Sequence, residues 1–180
     1  QHRGQESAGI ATSDLRDISI HTHLGLVSQA FREDDLRALR GEIAIGHARY
    51  STTGSNQSCN AGPMLTGSDI GPIAVAHNGN LVSANALRSN LEAGGERFET
   101  TTDSEVLTRT IALSPGDTIV DKLKAAMPLM EGAYSLAVLT RDRLLAVRDP
   151  LGVRPLCLGP FCDHWVVSSG NCALMTIGAG

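Results

Sequence analysis

A chain of 180 residues makes one domain or most of one, and at that size it buries roughly 70% of its unfolded surface without needing a metal or a disulfide. The net charge is −4 and the pI about 5.8. The fifteen Lys and Arg are scattered and aromatic residues make up only 3%, which excludes a basic nucleic-acid surface and a base-stacking platform.

No apolar run reaches the length of a membrane span, and no basic-then-apolar leader opens the chain. Cys59, Cys157, Cys162 and Cys172 form no C-x-x-C pair, so no metal site is expected. Reduced thiols in the cytoplasm fit better than disulfides.

In chain order, SAGIAT (7–12) reads as a strand. A short helix over 33–40 carries acidic residues in its first turn, where the helix dipole favours them. EIAIGHARY (42–50) and PIAVAH (72–77) read as strands. The Gly-, Ser- and Asn-rich stretch 54–63 reads as a mobile lid beside a binding segment. Leu81, Ala84, Leu87 and Leu91 mark a helical face closed by Gly94 and Gly95. Further helices are predicted over 103–114 and 117–132, the latter bent or ended by Pro128. AYSLAVLT, RLLAVRD and HWVVSS are then strands joined by short loops, which favours antiparallel pairing. Strands, then helices, then strands give an α+β fold.

Several residues carry chemistry. Asn78-Gly79 is a favoured hairpin turn, yet a helix is read next. Alternatively, the Asn amide and the unhindered Gly N–H are two donors that can point at one oxygen, as acyl transfer requires. Thr102-Asp103-Ser104-Glu105 fits a capping box, and an ionised Asp103 can also grip an ammonium group. Arg49, at a strand end, is either a solvated charge or a fork for a carboxylate. Arg49 and Asp103 together would read the two charged ends of a zwitterion. His21-x-His23 has strand spacing but lacks a third metal ligand. His47 is read as structural. Asp149 is expected to brace the turn RDPLG, and Arg154 to do structural work only.

In this order QHRGQESAG (1–9), HARYSTTG, AHNGNL, TTDSE and RDPLGVRPL resemble the class II glutamine amidotransferases, a branch of the N-terminal-nucleophile hydrolases, over nearly all of the chain. The Gln-Glu-Ser form of the first motif is most similar to the amidophosphoribosyltransferase branch. The resemblance implies a four-layer αββα sandwich of two antiparallel sheets, incomplete at both ends, with residues 1–180 as the type 2 amidotransferase domain. It implies an oxyanion hole at Asn78 and Gly79, with Arg49 on the glutamine carboxylate and Asp103 on its α-amino group. Tyr50 and Thr52 would lie on a closing loop, and Arg3 near the nucleophile.

The class uses a cysteine at the first position, with its own α-amino group as base. This chain starts at Gln1, so it is expected to lack the nucleophile strand and the downstream phosphoribosyltransferase domain, and to be inert as it stands. Ser169-Gly170-Asn171-Cys172 also departs from the class pattern, which carries Glu after the Ser. The resemblance implies ammonia delivery to phosphoribosyl pyrophosphate for purine synthesis. Mg²⁺ is expected in the second domain, and an iron–sulfur cluster and a homo-oligomer in the full protein. The alternatives are a non-catalytic glutamine-binding module and a different class II enzyme, such as a glucosamine-phosphate synthase.

Overall fold

The computed structural model describes residues 4–50 and 57–179. Three strands form the first sheet: β1 (Ser7–Ser13) lies between β2 (Ile18–Leu24) and β3 (Ile43–Arg49), antiparallel to both. The second sheet runs in the order β4 (Met64–Thr66), β5 (Ile73–Leu81), β6 (Gly132–Leu139), β7 (Leu144–Arg148), also antiparallel throughout. A separate hairpin pairs β8 (Cys157–Phe161) with β9 (His164–Ser168).

The sheets stack because alternate residues of β5 and β6 face opposite sides of the second sheet and are apolar on both. Ala74, Ala76 and Leu139 meet Ala11, Ile18 and Ile45 of the first sheet in one core. Ile73, Val75, Leu136 and Val138 point the other way and pack with Leu107, Ile111, Ile119 and Leu123. These last four come from α4 (Asp103–Leu113) and α5 (Ile119–Ala126), which with α3 (Ala84–Ala93) form the helical layer outside the second sheet.

On the far side of the first sheet lie α1 (Val27–Ala30) and α2 (Glu33–Ala38). The His21 ring of β2 packs at a tilt against Phe31, 5.4 Å between centroids, and Thr12 donates to the Arg40 carbonyl. The order is therefore helix, sheet, sheet, helix, as expected, with the β8–β9 hairpin and α6 (Asn171–Ile177) as additions.

Several boundaries differ from the sequence reading. Leu81 ends β5 rather than beginning a helix. The 117–132 helix stops at Ala126, and Met127–Leu129, with Pro128 inside, forms a 3-10 turn. Within 57–63 the expected loose lid is fastened: Asn60 is fully buried, and its side chain exchanges hydrogen bonds with Thr101.

α4 holds its place by caps at both ends. Thr102 accepts from the N–H of Glu105, but the reciprocal half of the capping box is missing. Glu105 instead receives the N–H groups of Glu99 and Thr100 and the Arg109 guanidinium. At the C-terminal end the buried Lys122 ammonium donates to the carbonyls of Ala112 and Ser114 and pairs with Asp69 at 2.6 Å. A cation is favoured at that end of a helix.

Candidate functional site

A cavity of about 1130 Å³ opens at one end of the sandwich, slightly above the size range for small-molecule sites, roughly 300–1,000 Å³. Arg49, Tyr50, Asn78, Gly79 and Asp103 all line it. Arg3 and Thr52, also expected at the site, lie outside the described residues.

Arg49 is the last residue of β3 and, with His47 and Ile45, is on the side of that strand that faces the second sheet. It is only 9% exposed, so the reading of a solvated charge is overturned. Tyr50, the next residue, is 71% exposed at the rim. Asp103 opens α4; its Oδ2 accepts the N–H of Leu81 at 3.0 Å, which ties the helix start to the end of β5.

Asn78 and Gly79 do not form a turn. Both lie inside β5, opposite Ser135 and Tyr134 of β6, because the strand runs on to Leu81. Gly79 is required by close approach: a Cβ there would sit 2.1 Å from the Ala133 carbonyl oxygen.

The direction of the Gly79 N–H follows from the ladder. Tyr134 makes its backbone hydrogen bonds on the far side, donating to Asp149 Oδ2 and accepting from the Asp149 N–H. Gly79–Tyr134 is therefore a non-hydrogen-bonded pair, and the Gly79 N–H points away from β6. It points toward the edge where Leu81 meets Asp103. β4 reaches only as far as Val75 on that edge, so among the described residues no strand lies opposite Gly79.

Two histidines, His77 buried and His47 half-buried, stand behind these groups. His77 Nδ1 bonds Ser104 Oγ at 3.0 Å and lies 3.9 Å from Asp103 Oδ1. Burial pushes its pKa below the ordinary value, Asp103 opposes the shift, and Arg154 adds to it. Burial, with help from His77 and Arg49, lowers His47 to about 4. Both rings are therefore neutral near pH 7.

Asp149 braces its turn as expected, accepting N–H groups from Leu151, Val153 and Arg154 as well as Tyr134. Burial works against its ionised form, yet these donors outweigh it and hold the pKa below the ordinary carboxylate value. Arg154 departs from expectation. It lines the cavity, and its Nη2 donates to Asn78 Oδ1 at 2.8 Å. Ser104 was missed as well; its one signal in the sequence was its place in the first turn of a helix beside Asp103. Ser169, Gly170, Asn171 and Cys172, the segment that departs from the class pattern, also line the cavity. α6 starts there without a side-chain cap.

Among the described residues no three or more His, Cys, Asp or Glu gather as a metal site, and no helix is long and apolar enough to cross a membrane. No disulfide joins the four cysteines.

Residues 47–176 match the family described as "Glutamine amidotransferase domain". The chain belongs to this family. The glutamine amidotransferase domain is 48% identical to an amidophosphoribosyltransferase of Synechocystis, over 99% of the chain and 37% of the relative. It is 45% identical to one of Methanocaldococcus jannaschii, over 99% and 38%. The glutamine phosphoribosylpyrophosphate amidotransferase of B. subtilis, solved with ADP and GMP, superposes with a TM-score of 0.91 at 39% identity, covering 99% of this chain and 39% of that one. The chain thus spans about two fifths of the length of these relatives, and its layered antiparallel architecture is that of their amidotransferase domain.

Proposed function

We propose that the cavity binds L-glutamine as a zwitterion and presents its side-chain amide to Asn78 and Gly79, as the glutamine-handling part of an amidophosphoribosyltransferase. One observation carries this reading. A buried guanidinium, a carboxylate at a helix start and an outward N–H beside a side-chain amide come from three separate layers and line one cavity.

Arg49 forks onto the α-carboxylate and Asp103 takes the α-ammonium group. The carbonyl oxygen of the amide then meets the Gly79 N–H and Asn78 Nδ2, the two donors that would carry the charge that develops when a nucleophile attacks. Each such donor contributes about 3 kcal/mol to the transition state. In the class that this chain resembles the nucleophile is an N-terminal cysteine thiolate. It forms a thioester and expels ammonia, and water then releases glutamate. In the whole protein that ammonia would replace pyrophosphate on phosphoribosyl pyrophosphate, in the cytoplasm, at the start of purine synthesis. Mg²⁺ and any iron–sulfur cluster would belong with that second activity, and no step at this cavity draws on them.

Calorimetry tests the reading on the chain itself. L-glutamine should bind, and Arg49→Gln or Asp103→Asn should each weaken it at least tenfold, because each leaves one charged end of the ligand unpaired. No heat from L-glutamine with the folded wild-type chain overturns it.

A further inference from the structure

Asn78 can serve as a donor only if its amide nitrogen, not its oxygen, faces the ligand, and nothing in a carboxamide by itself decides between the two. Arg154 decides it. Its guanidinium carries donors alone, so the group 2.8 Å from Nη2 is the Asn78 oxygen, and both Nδ2 hydrogens are turned away from Arg154.

The arginine is itself held from three directions. Its N–H reaches Asp149 Oδ2, and its carbonyl accepts from Ser135 Oγ and, at 2.7 Å, from Arg148 Nε. None of the ion pairs among the described residues includes Arg154. Its Nε is buried without a partner. A guanidinium with a buried nitrogen left without an acceptor costs stability rather than adding to it. This one sits beside a neutral amide in the wall of the cavity.

We propose that Arg154 is a positioning residue that fixes which end of the Asn78 carboxamide faces the cavity. The proposal takes its ligand from the glutamine reading above, while the orientation of Asn78 exists with or without glutamine. Asp149, by fastening the turn that carries Arg154, stands behind the same device.

The test uses the ¹⁵N-labelled 180-residue chain. The Asn78 side-chain amide signals are identified as the pair lost in Asn78→Asp. In Arg154→Met they should shift or broaden as the carboxamide begins to turn over, and Arg154→Lys, which keeps a cationic donor, should restore much of the wild-type position. By calorimetry Arg154→Met should raise the glutamine Kd about tenfold, the scale of one charge-assisted hydrogen bond. L-norvaline, with the same α-groups and no amide, should bind both proteins equally. Added to Asn78→Ala, the Arg154 change should cost nothing further, since the two act as one unit.

Unmoved Asn78 signals in Arg154→Met, or an equal loss of glutamine affinity in the Asn78→Ala background, overturns the proposal. If Arg154→Met loses its spectral dispersion, Arg154→Gln carries the same measurements. If the wild type does not bind glutamine, the functional reading fails, while the amide signals still judge Arg154.

Discussion

Gly79 shows how little room the site leaves for change. A methyl group there meets the Ala133 oxygen at 2.1 Å and the Tyr134 Cα at 2.7 Å, both backbone atoms of the neighbouring strand. Gly79→Ala should therefore destabilise the fold by about 3 kcal/mol or more in urea titrations. Gly67→Ala, with nothing within 4 Å of the added carbon, should change stability by less than about 0.5 kcal/mol. The sequence showed that an Asn-Gly pair was chemically interesting but not its geometry. Local propensity favoured a turn, and only the partner strand β6 holds the pair extended. Arg154 was illegible for a related reason: it meets Asn78 across 76 residues, and no local pattern records such a contact.

At the level of elements, the proposed glutamine site makes α4 join stability to binding at one end only. Thr102 caps the end that carries Asp103, and Lys122 caps the other, about 16 Å away for eleven residues at 1.5 Å each. Thr102→Ala should cost about 1 kcal/mol and also weaken glutamine binding, because Asp103 is the next residue. Lys122→Met should cost about 2–3 kcal/mol, since it leaves buried carbonyls without donors, yet leave glutamine affinity unchanged. Thermal melts and calorimetry on both variants separate the two effects. β3 and α4 were readable from the spacing of their apolar residues, and β1 from its short apolar run between polar flanks. β8 was not, because its five residues include Gly159 and Pro160. α6 was not, because it is short and buries only Leu174.

For the molecule as a whole, the neutral histidines between and beside the sheets make stability depend on acidity. His47 titrates at about 4 when folded against 6.5 ordinarily, and His77 is shifted in the same direction. The unfolded chain therefore takes up protons first as pH falls. Stability should be full above about pH 6.5, decline between 6.5 and 4, and stop responding to His47 below that. The His47 share is on the order of 3 kcal/mol. Glu105 and Asp149, whose pKa values are lowered, act only at the acid end of this range and beneath it. Denaturant titrations from pH 7 to 4 should show the decline, with a shallower slope in His47→Gln. A different consequence follows from the brevity of β4. Its three residues stop short of Gly79, so among the described residues the sheet ladder does not claim that amide. Had that strand continued, a main-chain carbonyl would have saturated the position permanently, and a visiting molecule would have had to compete with the protein itself. In the proposed glutamine site, the donor offered to the ligand comes from secondary structure that was never completed.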